Sequence, residues 1–374
     1  MNLSEIATFL VKLIVFLIGV GLVLNTIASA IRTFILPRSA PDKIVSSVFL
    51  STRFIFNKRV ERATTYEKRD RIMALYAPLS LIAVQLTWLG IVTIGFTLIY
   101  WAMGFDLRSA FLFSESALVT LGSAQIDGVK ETTLVTVQAV IGILLNAILI
   151  AYLPTIYSAF SQRETLVNLL DVRAGSPPTP SQLFQRFNRL KNLDKLHNLW
   201  ADWEMWFAQL EETHSSLAVL PFFRSPKPER SWITAAGAVL DSAALSLAAL
   251  DIPNDYQAAL TLRAGWLALQ EIATFFGIQF NQTPQPTDPI SVTHFEFKLL
   301  LQEMSDAGLP IKTDWEQAWL DYAGWRVNYD VPLVMLSRLV MAPYAPWSSD
   351  RSIRGAKMLF KGGSVFSRVF RAIP

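Results

Sequence analysis

Residues 75–103 read "LYAPLSLIAVQLTWLGIVTIGFTLIYWAM" and contain no charged side chain. About 20 consecutive apolar residues are enough to cross the roughly 30 Å hydrocarbon core of a membrane as a helix. The stretch ends close to Tyr100 and Trp101, aromatic residues that favour the membrane–water interface. It therefore predicts a transmembrane helix.

Two other stretches meet the same criterion. Residues 6–31 carry one charge, Lys12, near one end, and residues 132–157 carry none. The chain as a whole has 374 residues, of which 52% are hydrophobic and only 17% are charged, which is apolar beside an ordinary soluble domain. We predict an all-α membrane protein with three transmembrane helices.

The distribution of Lys and Arg predicts the orientation. Residues 32–71 hold ten of them, whereas residues 104–131 hold only Arg108 and Lys130. Because cytoplasmic loops are enriched in Lys and Arg, we expect an inner-membrane protein with its N-terminus outside and its C-terminus in the cytoplasm. Signal-peptide cleavage after "ASA" at 28–30 is an alternative, but the apolar run follows Glu5 rather than a basic segment.

The segment between the second and third predicted spans is unusually apolar. Residues 110–119 predict a helix too short to cross a membrane, and "VTLGSAQIDG" follows at 119–128. A half-length apolar helix followed by irregular backbone is typical of a re-entrant segment, which membranes tolerate only where protein or a watery cavity surrounds it. We therefore expect a re-entrant pore loop between these two spans.

The order of outer helix, short helix, "TLGSA" and inner helix over about residues 75–160 resembles the pore module of tetrameric potassium channels. In that family, backbone carbonyls of the selectivity filter replace the hydration shell of the ion. The resemblance implies a passive cation channel, a homotetramer, monovalent cations as the transported species and a filter that comprises Thr120, Leu121, Gly122, Ser123 and Ala124.

The filter departs from the family pattern in three places. Ser123 stands where the family usually has tyrosine, Ala124 replaces the second glycine, and Gln125 replaces the common aspartate. Alanine held at positive φ costs on the order of 1–2 kcal/mol. These departures predict altered ion selectivity.

Other residues of the segment are candidates for the outer mouth and the gate. The outer mouth comprises Gln125, Asp127 and Glu115; Asp106 and Glu131 add negative charge that concentrates cations. Capping of short helices is the alternative role for these acids. The inner-helix gate comprises Gly142, Asn146 and Pro154, each of which is also a common helix-packing feature.

The predicted domain organisation has six parts. They are the first transmembrane helix at 1–36, a basic interfacial segment at 37–73, the pore module at 74–160, a proline-containing linker at 173–180, a cytoplasmic α-helical domain at 181–346 and a basic tail at 347–374. Basic residues in 43–71 and 347–374 suit contact with anionic lipid of the bilayer. The helical domain has an excess of acidic residues, which disfavours nucleic acid as a partner.

The cytoplasmic part shows no catalytic motif, so we predict neither an enzyme nor a cofactor or metal site. Its three histidines, His197, His214 and His294, are dispersed. Trp200, Trp203 and Trp206 share one helical face and favour core packing over an aromatic ligand cage. Asp241, within an apolar run, is either a buried interaction or ligand-binding residue or part of a helix face exposed to water. A non-conducting membrane receptor or scaffold with a partner-binding cytoplasmic domain is the alternative to the channel.

Overall fold

The computed structural model describes residues 3–34, 42–118 and 128–352. In these ranges the regular structure is helical, with an isolated β-bridge between Leu250 and Ile311. The prediction of an all-α protein is therefore confirmed. The helices are α1 Leu3–Phe34, α2 Lys43–Val60, α3 Tyr66–Ala74, α4 Tyr76–Ala102, α5 Leu107–Leu118, α6 Val129–Ala174, α7 Pro180–Arg189, α8 Leu196–Ser216, α9 Trp232–Ala248, α10 Tyr256–Phe275, α11 His294–Asp306, α12 Trp315–Arg326 and α13 Asp330–Leu339.

Three helical stretches of the described chain are long and apolar enough to cross a membrane. They are α1, α3 with α4 over Tyr66–Ala102, and α6, with mean hydropathies of 2.6, 2.0 and 2.4 in their most apolar windows. The three predicted spans thus coincide with three helices that are candidates to cross a membrane by length and composition. Only 11% of the α1 window and 17% of the α6 window are buried within the chain. Such exposure of apolar residues is compatible with contact to lipid.

The chain divides into two compact units. The first unit comprises Met1–Arg53 and Pro78–Tyr157, and the second comprises Phe54–Ala77 and Ser158–Pro374. Neither unit is a contiguous stretch of sequence. The second unit includes α3, which lies before α4 in the chain, together with the helices from α7 onward.

Close packing of glycines joins α1 to α4 in the first unit. A Cβ on Gly19 would lie 2.6 Å from the carbonyl oxygen of Gly95, so the two backbones touch. Farther along, the indole Nε1 of Trp88 donates to Ser29 Oγ at 3.0 Å. Because the order of contacts is reversed between the two helices, α1 and α4 are antiparallel. Small residues at such crossings are typical of helices that pack in membranes.

Asp42 links the beginning of α2 to the end of α1. Its Oδ1 accepts hydrogen bonds from the Ile44 and Val45 N–H groups and from Ser29 Oγ, and its Oδ2 lies 2.8 Å from Arg32 Nη2. Burial raises the pKa of this carboxyl, but the bonds from Arg32, Ser29 and Val45 outweigh burial and hold the pKa below its usual value. Asp42 therefore begins α2 and ties it to the end of α1.

Helix α9 lies at the centre of the second unit. All of its residues except Leu247 are buried, and a helix that is buried on every side must be surrounded by others. Trp200, Trp203 and Trp206 of α8 are at most 2% exposed, which confirms their prediction as core residues. The chain breaks between α7 and α8, where Lys191 adopts a φ of 55°.

Candidate functional site

Helix α5 presents its two faces to different surroundings. Asp106 begins the helix by accepting a hydrogen bond from the Ser109 N–H at 3.0 Å. Ala110, Ser114, Ala117 and Leu118, spaced as one helical face, are buried. Glu115, predicted at the outer mouth, lies on the exposed side together with Phe111. The apolar helix predicted from residues 110–119 is therefore present, and one face packs within the first unit.

A buried polar network attaches α5 to both neighbouring helices. Ser114 Oγ donates to the Thr93 carbonyl of α4 at 2.9 Å, and Gln138 Nε2 of α6 donates to the Ser114 carbonyl at 2.8 Å. Tyr100 OH of α4 donates to Gln138 Oε1 at 3.3 Å. Ser114, Gln138 and Tyr100 are completely buried. Since an unpaired buried polar group costs about 1–3 kcal/mol, these bonds fix the position of α5.

Helix α4 and helix α6 are antiparallel. Tyr100, near the end of α4, meets Gln138, whereas Gln85, near its beginning, donates from Nε2 to Asn146 Oδ1 at 3.0 Å. The end of α4 and the beginning of α6 therefore lie on the same side of the first unit. In the sequence, α5 comes between these two ends, so it begins on that side.

The C-terminal end of α5 lies far along α6. A Cβ on Gly142 would lie 2.8 Å from the carbonyl oxygen of Leu118, the last residue of α5. Gly142 is thirteen residues after Val129, the first residue of α6, which corresponds to about 20 Å along a helix that rises 1.5 Å per residue. An aromatic cluster of Tyr100, Phe105 and Phe113 lies near the other end of α5. Helix α5 thus extends deep alongside α6.

The predicted filter lies outside the described residues. Thr120, Leu121, Gly122, Ser123 and Ala124, together with Gln125 and Asp127 of the predicted outer mouth, are all outside the described residues. Their roles stay predictions. Of the acids around them, Asp106 caps α5, which is the alternative role considered for it, and Glu131 lies in the first turn of α6.

The three predicted gate residues all lie on α6. Helix α6 continues without interruption through Gly142 and Pro154 to Ala174. Gly142 is the point of contact with α5, so its lack of a side chain serves packing in this structure. Asn146 Oδ1 accepts a hydrogen bond from Gln85, and the residue is exposed in the single chain.

Residues outside the pore segment were also singled out from sequence. Asp241 is 2% exposed and accepts hydrogen bonds from Arg326 at 2.7 Å, Tyr329 at 2.8 Å and Tyr322 at 3.1 Å. It is therefore a buried interaction residue. Arg326 also bonds Asp330 at 2.7 Å. Burial opposes the guanidinium charge, but the two carboxylates outweigh it and raise the pKa of Arg326 well above its usual value.

The three histidines lie in separate environments. His197 Nδ1 is 2.9 Å from Asp255, and His294 Nε2 is 3.2 Å from Glu316. His214 is completely buried, and burial together with the nearby Arg163 guanidinium lowers its pKa well below the usual value. The ring is therefore neutral at pH 7. Within the described ranges, no three His, Asp or Glu side chains converge as a metal site requires.

The network around α5 was not predicted from sequence. Gln138 is a polar residue within the apolar run of 132–157, and Ser114 lies between Ala110 and Ala117 on one face. Polar residues in apolar helices usually face other helices, which was the available signal. No family model, curated protein or solved structure matches the chain.

Proposed function

We propose that the protein is a passive cation channel, potassium-channel-like with an atypical filter, in which α4, α5 and α6 form the pore module of each subunit. The contact between the Leu118 carbonyl and Gly142 carries the proposal. Gly142 lies ten residues after Thr132, where the predicted span begins, so the end of the short helix lies about 15 Å along that span, or about half of a 30 Å hydrocarbon core. A helix that enters the membrane this far between two antiparallel spans has the geometry of a re-entrant segment.

The direction of α5 favours cations over anions. The last carbonyls of a helix have no partner within it, and they carry the equivalent of about half a negative charge. This end of α5 is at Leu118, immediately before the predicted filter at 120–124. In the apolar surroundings of a membrane the partial charge is weakly screened. A cation that enters the filter is stabilised by it, whereas an anion is repelled.

The assembly and orientation belong to the same proposal. One pore loop supplies a quarter of the filter in the resembled architecture, so four copies are required. The exposed apolar residues of α6, such as Val140, Ile143 and Leu144, provide surface for lipid and for neighbouring copies. We place the protein in the inner membrane with its N-terminus outside, its α-helical second unit in the cytoplasm as the part through which gating acts, and its basic segments against anionic lipid.

Ion flux into liposomes that hold the purified protein tests the proposal. Potassium, sodium and chloride uptake are compared for the wild type, for Gly122→Asp in the filter, and for Gly324→Asp. Gly324 of α12 is the matched control because a Cβ there meets its nearest neighbour at an ordinary 3.6 Å. We expect cation flux without chloride flux, abolished by Gly122→Asp and retained by Gly324→Asp.

The same measurement separates the channel from the receptor or scaffold. Flux that survives Gly122→Asp contradicts a filter at this position. A folded, tetrameric wild type that conducts none of the three ions contradicts the channel in the conditions used, and the non-conducting receptor then becomes the better account. The oligomeric state is measured on the same sample, because a monomer also favours the receptor.

A further inference from the structure

A cleft in the second unit lies at the beginning of α9. It opens to solvent and is lined by residues between Pro221 and Trp232 together with Val340. Its polar lining comes from the short segment before α9 and comprises Arg224, Ser225, Arg230 and Ser231. Trp232 also lines the cleft. The cleft therefore brings two guanidinium groups and two hydroxyl groups to the N-terminus of a helix of 17 residues.

The N-terminus of α9 has no side-chain cap. Ser231 occupies the N-cap position in an extended conformation, with φ −156° and ψ 140°, but its side chain makes no capping hydrogen bond. The first N–H groups of a helix have no acceptor within the helix, and together with the helix dipole they favour a negative group. The position that an N-cap side chain normally fills is thus open towards the cleft.

Ser225 provides a second, independent indication of a ligand. Its residue is 8% exposed, and its Oγ is buried without a hydrogen-bond partner in the described structure. A buried hydroxyl that lacks a partner is costly, and Ser225 is one of the residues that line the cleft. A ligand atom in the cleft that accepts a hydrogen bond would satisfy it.

The two arginines are held in place and retain free donors. Arg224 bonds Asp70 at 2.7 Å, Tyr66 OH at 3.0 Å and the carbonyls of 340 and 341. Arg230 bonds Asp171 and Asn168. Each guanidinium has five N–H donors; Arg224 uses only its two terminal nitrogens in these bonds, and Arg230 makes three bonds. The carboxylates orient the arginines and offset part of their charge.

We propose that this cleft binds the phosphate group of a small ligand. A tetrahedral oxyanion accepts several hydrogen bonds at once, which matches hydroxyl, guanidinium and helix N–H donors around one space. The neighbouring carboxylates disfavour binding through net charge alone, so recognition rests on directed hydrogen bonds. The phosphate belongs either to a free phosphorylated molecule or to a lipid headgroup. The site does not depend on the proposed channel activity.

Calorimetric titration of the full-length protein with inorganic phosphate tests the site, against potassium chloride at matched ionic strength. We expect saturable phosphate binding that Ser225→Ala weakens by about tenfold or more, because a hydrogen bond to a charged group is lost. Ser337→Ala is the matched control. Ser337 is 2% exposed and its Oγ also lacks a partner, but it does not line the cleft, so this variant should bind phosphate as the wild type does.

A charge placed at the N-cap provides the second variant. Ser231→Asp puts a carboxylate where the ligand phosphate is proposed to lie and supplies a good N-cap. It should raise the Tm of the protein without ligand and abolish phosphate binding. The proposal is overturned if the wild type shows no saturable phosphate binding, or if Ser225→Ala and Ser231→Asp both bind phosphate as tightly as the wild type does.

Two further arms identify the source of the phosphate. The titration is repeated in phosphatidylcholine nanodiscs with and without phosphatidic acid. If phosphatidic acid weakens the binding of inorganic phosphate to the wild type, and has no such effect on Ser225→Ala, the site binds a lipid headgroup. Unchanged phosphate affinity in both nanodiscs assigns it to a free phosphorylated molecule.

Discussion

The carbonyl oxygen of Leu118 lies 2.8 Å from the position that the first side-chain atom of residue 142 would occupy if that residue were not glycine. A Cβ at this position would be 2.8 Å from the oxygen and 3.0 Å from the Leu118 Cδ1. The end of α5 and the middle of α6 are therefore in backbone contact. Glycine permits this contact because it carries a hydrogen atom where every other residue carries a Cβ.

Replacing Gly142 with alanine is expected to displace the end of α5. Overpacking of this kind costs about 1–3 kcal/mol, and cation flux should fall because the displaced helix end adjoins the predicted filter. Gly90→Ala is the control, since a Cβ there has no atom within 4 Å. Both changes gain similar helix propensity. Flux and Tm in detergent are compared, and equal values for the two variants would contradict the role of the contact.

Replacing Gln138 with leucine should detach α5 from α6. The Ser114 carbonyl and the Tyr100 hydroxyl both lose a buried partner, so we expect a loss of about 1–3 kcal/mol in the free energy of unfolding. Tyr100→Phe removes only the longer bond, together with its hydroxyl, and should cost about 1 kcal/mol or less. Denaturant titration in detergent measures both. The order of the two effects is the critical result; a larger cost for Tyr100→Phe would show that Gln138 is not the central residue.

Asp42→Asn separates the charge of Asp42 from its capping role, because asparagine is also a good N-cap. At pH 7 the variant should lose about 1 kcal/mol or less, since Arg32 is 37% exposed at its side chain. The pKa of Asp42 is lowered by folding from 3.8. Its contribution to stability is therefore complete above about pH 3.8 and declines as the pH falls through the lower folded value.

The pH dependence of that difference is measured as the Tm of the wild type minus the Tm of Asp42→Asn. We expect the difference to be constant between about pH 7 and pH 5, and to shrink only under acid conditions. If this Tm difference disappears at near-neutral pH, its pH dependence arises from a group other than Asp42.

Arg326→Leu should destabilise the second unit strongly. Arg326 is fully buried between Asp241 and Asp330, and removal of one partner leaves buried carboxylates without compensation, at a cost of about 3–5 kcal/mol. Arg351→Leu, at a partly exposed ion pair with Glu296, should cost about 1 kcal/mol or less. Denaturant titration of the full-length protein compares them. Similar costs would contradict the special position of Arg326.

The long helices were predictable because a membrane imposes one dominant requirement. Each spanning segment must be apolar over its whole length, and residues 6–31, 75–103 and 132–157 display that property without reference to any contact. The helical character of residues 181–346 was recognised from a similar local pattern. The spacing of Trp200, Trp203 and Trp206 was enough to predict that they share one helical face and pack in the core.

Contacts between distant residues were not predictable. Gly142 was a candidate for the gate with helix packing as the alternative, because a glycine inside a helix has the same local signature whether it bends or packs, and only the partner Leu118 distinguishes them. Asp241 was left open for the same reason, since Arg326 lies 85 positions away. The membership of α3 in the second unit is likewise a long-range property, because Asp70 and Arg224 are separated by the membrane-capable helices.

The ion pair of Asp70 and Arg224 also bears on how the protein is made. A ribosome releases α3 before α4 to α6, and it releases the segment that contains Arg224 only after them. Until Arg224 is synthesised, Asp70 has no counterion and the second unit lacks most of its residues. Completion of this unit is therefore a late event in biosynthesis. An expression fragment that begins at Ser158 would lack Tyr66 and Asp70, and it would be expected to yield an incomplete domain.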